Sequence, residues 1–349
     1  MISKFNYLLL FLVLMSISCS SIKKQEAINI TQNFITDQPV TANSHASTIV
    51  ELEPNKLMAA WFGGKYEGAK DVGIYFSVYK ENKWSVPKNL VEPLITQKDT
   101  LPCWNPVLFK SKSQKLYLFY KVGKNPREWF GAMIVSKDNG NTWSAPKYLP
   151  KDILGPIRNK PIETTPGIIL CGSSTESVSD NKWRVHVEKY TEATDKWEKI
   201  EVEDKKEFEI IQPTFLIHSA NEIQMLSRSK HNKIISSWSK DNGNSWQRTD
   251  SINVVNSNSG IDAVTLTKKS FLLVNNPLRQ GKDWFNGRNV LDVEYSKNGE
   301  NWKKLFDLEN QTEGEFSYPA IIQTSDHKIH ILYTYNRKYI KHVTFELKE

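Results

Sequence analysis

Eight arginines stand against 38 lysines in this chain, and their placement is not random. Arg127, Arg184, Arg228, Arg279, Arg288 and Arg337 each follow a strongly apolar run, and Arg158 lies just ahead of another; only Arg248 sits elsewhere. Lysine already supplies generic surface charge. Arginine in one recurring place therefore points to planar, bidentate recognition of a carboxylate or similar oxyanion, with pairing to wall carboxylates as the competing use. Lys160 heads one of the repeated units; buried there, it serves either as a base of lowered pKa or as a second anchor for substrate charge. Trp61, Trp104, Trp129, Trp183 and Trp284 have faces that suit the C–H side of a pyranose, although core packing is the commoner fate of Trp. Trp129 and Trp284, each in a polar loop beside an arginine, are the best placed of the five. His186 follows Arg184 by two positions and faces the same way if both lie on one strand. His327 and His330 have no third ligand at metal-site spacing, so no metal is expected, and no nucleotide or nucleophile-elbow fingerprint calls for a cofactor.

The elements that must hold these residues are legible as a repeat. Ser136-Lys137-Asp138-Asn139-Gly140-Asn141-Thr142-Trp143 returns as Ser239-Lys240-Asp241-Asn242-Gly243-Asn244-Ser245-Trp246, and Ser296 to Trp302 is a shortened copy. Asp and Asn close side-chain-to-backbone bonds, Gly accepts positive φ, and the Trp anchors the turn, so each copy is a tight hairpin. Six openings recur at Ser47, Asn105, Lys160, Gln212, Asp262 and Tyr318, each followed by an apolar strand such as Leu57–Trp61, Leu116–Tyr120 or Ile329–Tyr333. A period of about fifty residues with turns every ten or so means propeller blades. The sequence predicts an all-β, six-bladed β-propeller with Asp-box hairpins over 44–349, the last blade completed by the stretch before or around His45. The innermost strands converge on a central channel, and the loops after the apolar strands form its functional face.

Residues 1–18 carry one Lys, an apolar run from Tyr7 to Ile17 and small residues, the layout of a secretory signal too short to span a bilayer. Ser16-Ile17-Ser18-Cys19 resembles a bacterial lipobox, with Cys19 as the lipidated residue and 19–43 as a polar tether. The expected location is that of an exported lipoprotein of the periplasm or outer membrane, secreted if Cys19 is not lipidated, with membrane contact only through the lipid. Net charge is +7, but the lysines are scattered, and no nucleic-acid partner is expected outside the cytoplasm. Cys103 and Cys171 are expected as buried thiols.

The hairpins and blade pattern resemble the sialidase (neuraminidase) superfamily, specifically its BNR-repeat sialidase-like members, over almost all of the chain after the tether. Asn275-Asn276-Pro277 with Gly287-Arg288-Asn289 resembles the blade that supplies one arginine of the family's carboxylate clamp, and Arg228 resembles the second. Phe316-Ser317-Tyr318 resembles the segment with the nucleophilic Tyr, and Asp71, past Trp61-Phe62-Gly63-Gly64 and Glu67, resembles the general acid/base. Two positions depart from the pattern. No Arg stands at Ala46-Ser47-Thr48, where the family's Arg-Ile-Pro falls, and His45 is the nearest ionisable group. Gln212 stands where the Glu that polarises the Tyr belongs, and an amide takes no proton.

The predicted site therefore comprises Tyr318, Asp71, His45 and Lys160 for proton transfer, with Arg228, Arg288, Arg158, Gln212, Glu67 and Trp129 for binding. The expected substrate is the terminal acidic sugar, uronic or sialic, of an oligosaccharide. Neutralising its carboxylate acidifies the adjacent C–H, which suits elimination of the lyase or dehydratase type. Sialidase-type hydrolysis and non-catalytic glycan binding are the alternatives.

Overall fold

The structure, a computed structural model, describes residues 25–348. Six antiparallel sheets of four or five strands follow one another along the chain and form a six-bladed β-propeller, with a two-stranded ribbon of Leu94–Ile95 and Thr100–Leu101 before the second blade and no helix among the described residues. Blades 1 to 5 open on Asn43–Glu53, Cys103–Lys110, Ile162–Thr165, Ile210–Ile217 and Asp262–Thr265, and blade 6 on Phe316–Gln323. The sixth blade takes its outermost strand, Ala27–Phe34, from the other end of the chain, paired antiparallel to Tyr339–Leu347. The tether reading of 19–43 is thus corrected over its described part. Residues 27–34 are a strand that closes the ring, because the third strand of blade 6 would otherwise leave a row of unpaired backbone groups. Residues 1–18 and Cys19 lie outside the described residues.

Each second strand is buried on both faces, which is why it reads as an uninterrupted apolar run. In Leu116–Val122, Leu116, Leu118, Tyr120 and Val122 pack toward blade 1, while Tyr117 and Phe119 pack toward blade 3. The same division recurs around the ring, so the hydrophobic core consists of slabs between successive blades rather than one centre. Trp61 belongs to the slab between blades 6 and 1 and is not a sugar platform.

The Asp-box hairpins join third and fourth strands, at the end of the propeller away from the loops that follow the second strands. In blade 2, Asp138 accepts from the Thr142 N–H at 2.9 Å and its hydroxyl at 2.6 Å, and Ser136 Oγ accepts from the Gly140 N–H at 2.8 Å. Blade 4 repeats the pattern with Asp241, Ser245, Ser239 and Gly243. Gly140 and Gly243 have φ of 85° and 86°, and a Cβ on either would collide with Met58 or Leu170 of the preceding blade. The hairpin is an inter-blade clasp.

Candidate functional site

The innermost strands of blades 1, 2, 4 and 6 break register next to Ala46, Asn105, Gln212 and Tyr318. These four residues have φ of 53°, 41°, 55° and 53°, a conformation that costs a non-glycine residue roughly 1 kcal/mol or more. Asn105, Gln212 and Tyr318 each precede a proline, which pulls the pair off regular pleating. Such bulges re-aim side chains. Here they bring Gln212 of blade 4 and Tyr318 of blade 6 to one guanidinium.

That guanidinium is Arg228, at the end of the Ile223–Ser229 strand. Its Nη1 donates to Gln212 Oε1 and lies 3.1 Å from the Tyr318 hydroxyl oxygen, both at the same distance. Arg158, Arg228 and Arg288 surround the Tyr318 ring, with guanidinium carbons 5.1, 5.8 and 5.9 Å from its centroid. Burial by itself would raise the phenol pKa. The charges of Arg228, Arg288 and Arg337 outweigh burial and the opposing Glu67, so the pKa lies below its ordinary value.

Arg337 was not among the expected binding residues, and Glu315 was not foreseen at all. The turn after the second strand of blade 6 folds against blade 1, where the Ser44 N–H donates to the Arg337 carbonyl at 2.8 Å. Arg337 thereby occupies the neighbourhood of Ala46, where the resemblance led one to look for an arginine and found none. Its Nε donates to both Glu315 oxygens at 2.9 and 3.1 Å, and Nη1 donates to Glu67. Glu315 also accepts from Arg288 Nη1 at 3.1 Å. Arg337 did satisfy the rule that arginines follow the apolar strands, which was the available signal; the fold-back of its turn was not readable.

His45 is 1 % exposed and its ring lies 4.2 Å from that of Tyr318. Burial first, then the charges of Arg337, Arg288, Arg158 and Arg228, hold its pKa well below the ordinary histidine range, so it is neutral. Nδ1 pairs with Thr334 Oγ1 at 2.9 Å, and Nε2 has no hydrogen-bond partner among the described residues. His45 is a neutral wall behind the tyrosine.

Two expected roles are corrected by contacts. Arg158 Nη1 donates to the Ile261 carbonyl and the Asn159 side chain and Nη2 to the Pro319 carbonyl, so both ends of the fork are held by the wall and the residue lies against Tyr318 as a support. Burial lowers its pKa to about 10. Lys160 donates to Asp262 Oδ2 and to the Ala263 carbonyl, both at 2.8 Å, and is clamped between innermost strands. Burial lowers its pKa while Asp262 opposes the shift, and a base held in that ion pair has no lone pair to offer.

Asp71 and Glu67 lie on the exposed loop 65–72. The Lys65 N–H donates to the Asp71 carboxylate at 3.0 and 3.2 Å, and Glu67 reaches Arg337. Trp129 is half-buried, its ring 6.0 Å from that of Trp104. His186 points inward to Glu188 at 2.8 Å, and Arg184 and Arg127 pair with Asp180 and Asn181 at the surface. Among the described residues no group of three or more His, Cys, Asp or Glu side chains is placed to hold a metal ion.

A family model described as a BNR repeat-like domain matches residues 55–331, most of the chain. The chain belongs to this family. A search of curated proteins by sequence finds no match. Among solved structures, the propeller is similar to the NanB sialidase of Streptococcus pneumoniae, with a TM-score of 0.70, 12% identity, and coverage of 89% of this chain and 70% of that one. It is similar to a protein of unknown function from Dyadobacter fermentans, with a TM-score of 0.73, 13% identity, and 94% and 100% coverage. It is similar to the Trypanosoma rangeli sialidase in complex with sialic acid, with a TM-score of 0.69, 14% identity, and 92% and 59% coverage. At such identities the likeness shows the shared BNR-repeat, sialidase-like propeller fold.

Proposed function

We propose that this BNR-repeat protein is a carbohydrate-active enzyme that binds a terminal carboxylated sugar against Arg228, Arg288 and Arg337 and uses Tyr318 to move a proton. The observation that carries the reading is the contact of Arg228 with both Gln212 and the Tyr318 hydroxyl. Gln212 cannot take the phenol proton, so ionisation of Tyr318 is favoured by the neighbouring guanidiniums instead of by a carboxylate base. Such a phenolate, beside a clamp that neutralises the sugar carboxylate, is equipped for β-elimination. On a hexuronate, the C5 proton passes to the Tyr318 oxygen and the C4–O bond breaks with its electron pair on oxygen. A C4=C5 double bond forms, conjugated to the carboxylate, and the proton returns from Tyr318 to the departing oxygen. Neither step needs His45 or Lys160 to titrate.

A second reading, sialidase-type hydrolysis with Tyr318 as nucleophile and Asp71 as acid/base, is favoured by the similarity to two proteins whose names are sialidases. One experiment separates the two. Incubation with uronate-capped oligosaccharides is expected to generate a product with new ultraviolet absorbance from the conjugated alkene. Release of sialic acid from a chromogenic sialoside without such absorbance would replace elimination by hydrolysis. Glycan binding with no turnover, unaltered in Tyr318→Phe, would make the chain a binding protein. We further propose export as a lipoprotein anchored through Cys19, supported by the apolar run and the small residues before that cysteine. Incorporation of labelled palmitate, lost in Cys19→Ala, is the expected outcome.

A further inference from the structure

The face around Tyr318 is divided into two chemically distinct halves. Blades 4, 5 and 6 supply Arg228, Arg288 and Arg337. Blades 1 and 2 supply rings: His45 lies 5.5 Å from Phe62, Phe62 lies 6.0 Å from Trp104, and Trp104 lies 6.0 Å from Trp129. The series runs from the channel wall, where Phe62 and Trp104 are buried, to the half-buried Trp129 in the loop after the second strand of blade 2.

Besides the buried Trp104, three tryptophans among the described residues stand on loops or strand starts at this face, and two of them are covered by cations. Trp183 lies under Arg228 at 5.4 Å and Lys230 at 4.7 Å. Trp284 lies under Arg288 at 5.0 Å and Arg337 at 4.9 Å. Among the described residues, no cation covers Trp129. The nearby positive groups are engaged: Lys70 and Lys124 with Asp99 at 2.5 and 3.5 Å, and Arg127 with Asn181 at 2.5 Å. An indole without a cation over it, next in the chain to the exposed Glu128 carboxylate, suits the C–H face of a neutral pyranose and not a second carboxylate. Loop 65–72 crosses the seam between the halves, with Glu67 on Arg337 and Gly68 against the Trp104 ring, so Asp71 is carried along the boundary.

We infer that blades 1 and 2 form the seat for an uncharged sugar attached to the acidic one, with Trp129 as its platform, and that the substrate is at least a disaccharide laid across the seam. This rests on the reading that the arginine half holds a sugar carboxylate. The bond between the two residues then lies over the seam.

The test measures binding calorimetrically to the full chain carrying Tyr318→Phe, with glucuronate against glucuronyl-β-1,4-glucose and sialic acid against sialyllactose. The acid monosaccharide that binds is expected to gain about tenfold in affinity when its neutral neighbour is attached. Trp129→Ala is expected to erase that ratio and Trp129→Phe to keep part of it, whereas Arg228→Lys lowers the affinities for the acid alone and for its neutral-sugar conjugate by a common factor. No gain from the neutral sugar, or a gain that survives Trp129→Ala, overturns the inference while leaving the acidic-sugar reading in place. Failure of all four sugars to bind the unmodified chain overturns both.

Discussion

Arg228 Nη1 lies 3.1 Å from the Tyr318 hydroxyl, a contact between blades 4 and 6, which have blade 5 between them. A guanidinium in that position stabilises the phenolate and not the phenol, so it substitutes for the missing carboxylate base by a different route.

Replacing Arg228 by Gln removes this stabiliser and leaves burial, which raises the tyrosine pKa, with less opposition. The phenolate becomes scarcer at neutral pH. The rise of kcat/KM with pH is expected to move to higher pH, with a loss of about a hundredfold at neutrality. A pH–rate profile, together with ultraviolet titration of the tyrosinate corrected by Tyr318→Phe, checks this; an unmoved profile would remove Arg228 from the mechanism.

Glu315 is the common counter-charge of Arg288 and Arg337. Glu315→Gln leaves two guanidiniums facing each other around a neutral amide, and breaking a buried pair in this way costs roughly 3 kcal/mol. Chemical denaturation should show a lowered midpoint, and affinity for an acidic monosaccharide should change in the same variant. An unaltered midpoint would mean that the carboxylate does not hold the pair.

Asp292 and Glu294 face the inside of blade 5. Burial first, then Glu294, pushes the Asp292 carboxyl up to about 8, and burial pushes Glu294 up to about 7. Both are protonated in the folded protein at pH 6, whereas the unfolded chain ionises near pH 4. The contribution of this pair to stability is therefore most favourable in acid and is lost as pH climbs from about 4 toward 8. Asp292→Asn removes the larger part of this dependence and is expected to raise stability at pH 8 by on the order of a few kcal/mol, with little effect at pH 4. Urea midpoints at the two pH values decide it, and equal effects at both would contradict the buried-acid account.

Gly243→Ala introduces a Cβ at φ 86° into the space held by Leu170. Backbone strain and overpacking add, for a loss of roughly 2 kcal/mol or more. The clasp is remote from Tyr318, so thermal unfolding should fall by several degrees while acidic-sugar affinity is retained. Loss of affinity in the still-folded variant would show the clasp and the site to be coupled.

The periodic features were determined by the sequence alone. Alternating strands, apolar runs buried on both faces and two nearly identical Asp-Asn-Gly-Asn hairpins carry the blade count and the inter-blade clasp, because each is set by local propensity at a fixed spacing. The same spacing brought Tyr318, Arg228, Arg288 and Gln212 to the heads or loops of their blades. What only the tertiary structure decided is which way those side chains point and what they spend their donors on. Bulges at Gln212 and Tyr318 aim both at Arg228; such a one-residue shift would break an alternating pattern, but these innermost strands are buried on both faces and have little alternation to break. Arg158 and Lys160 look like site residues by position, yet carbonyls and Asp262 of other blades consume them. Residues 27–34 read as a polar tether because an outer strand needs few apolar residues; ring closure onto 339–347 makes it a strand. Arg337 enters the site only because its turn folds against blade 1, a contact between residues nearly three hundred positions apart that no local pattern encodes.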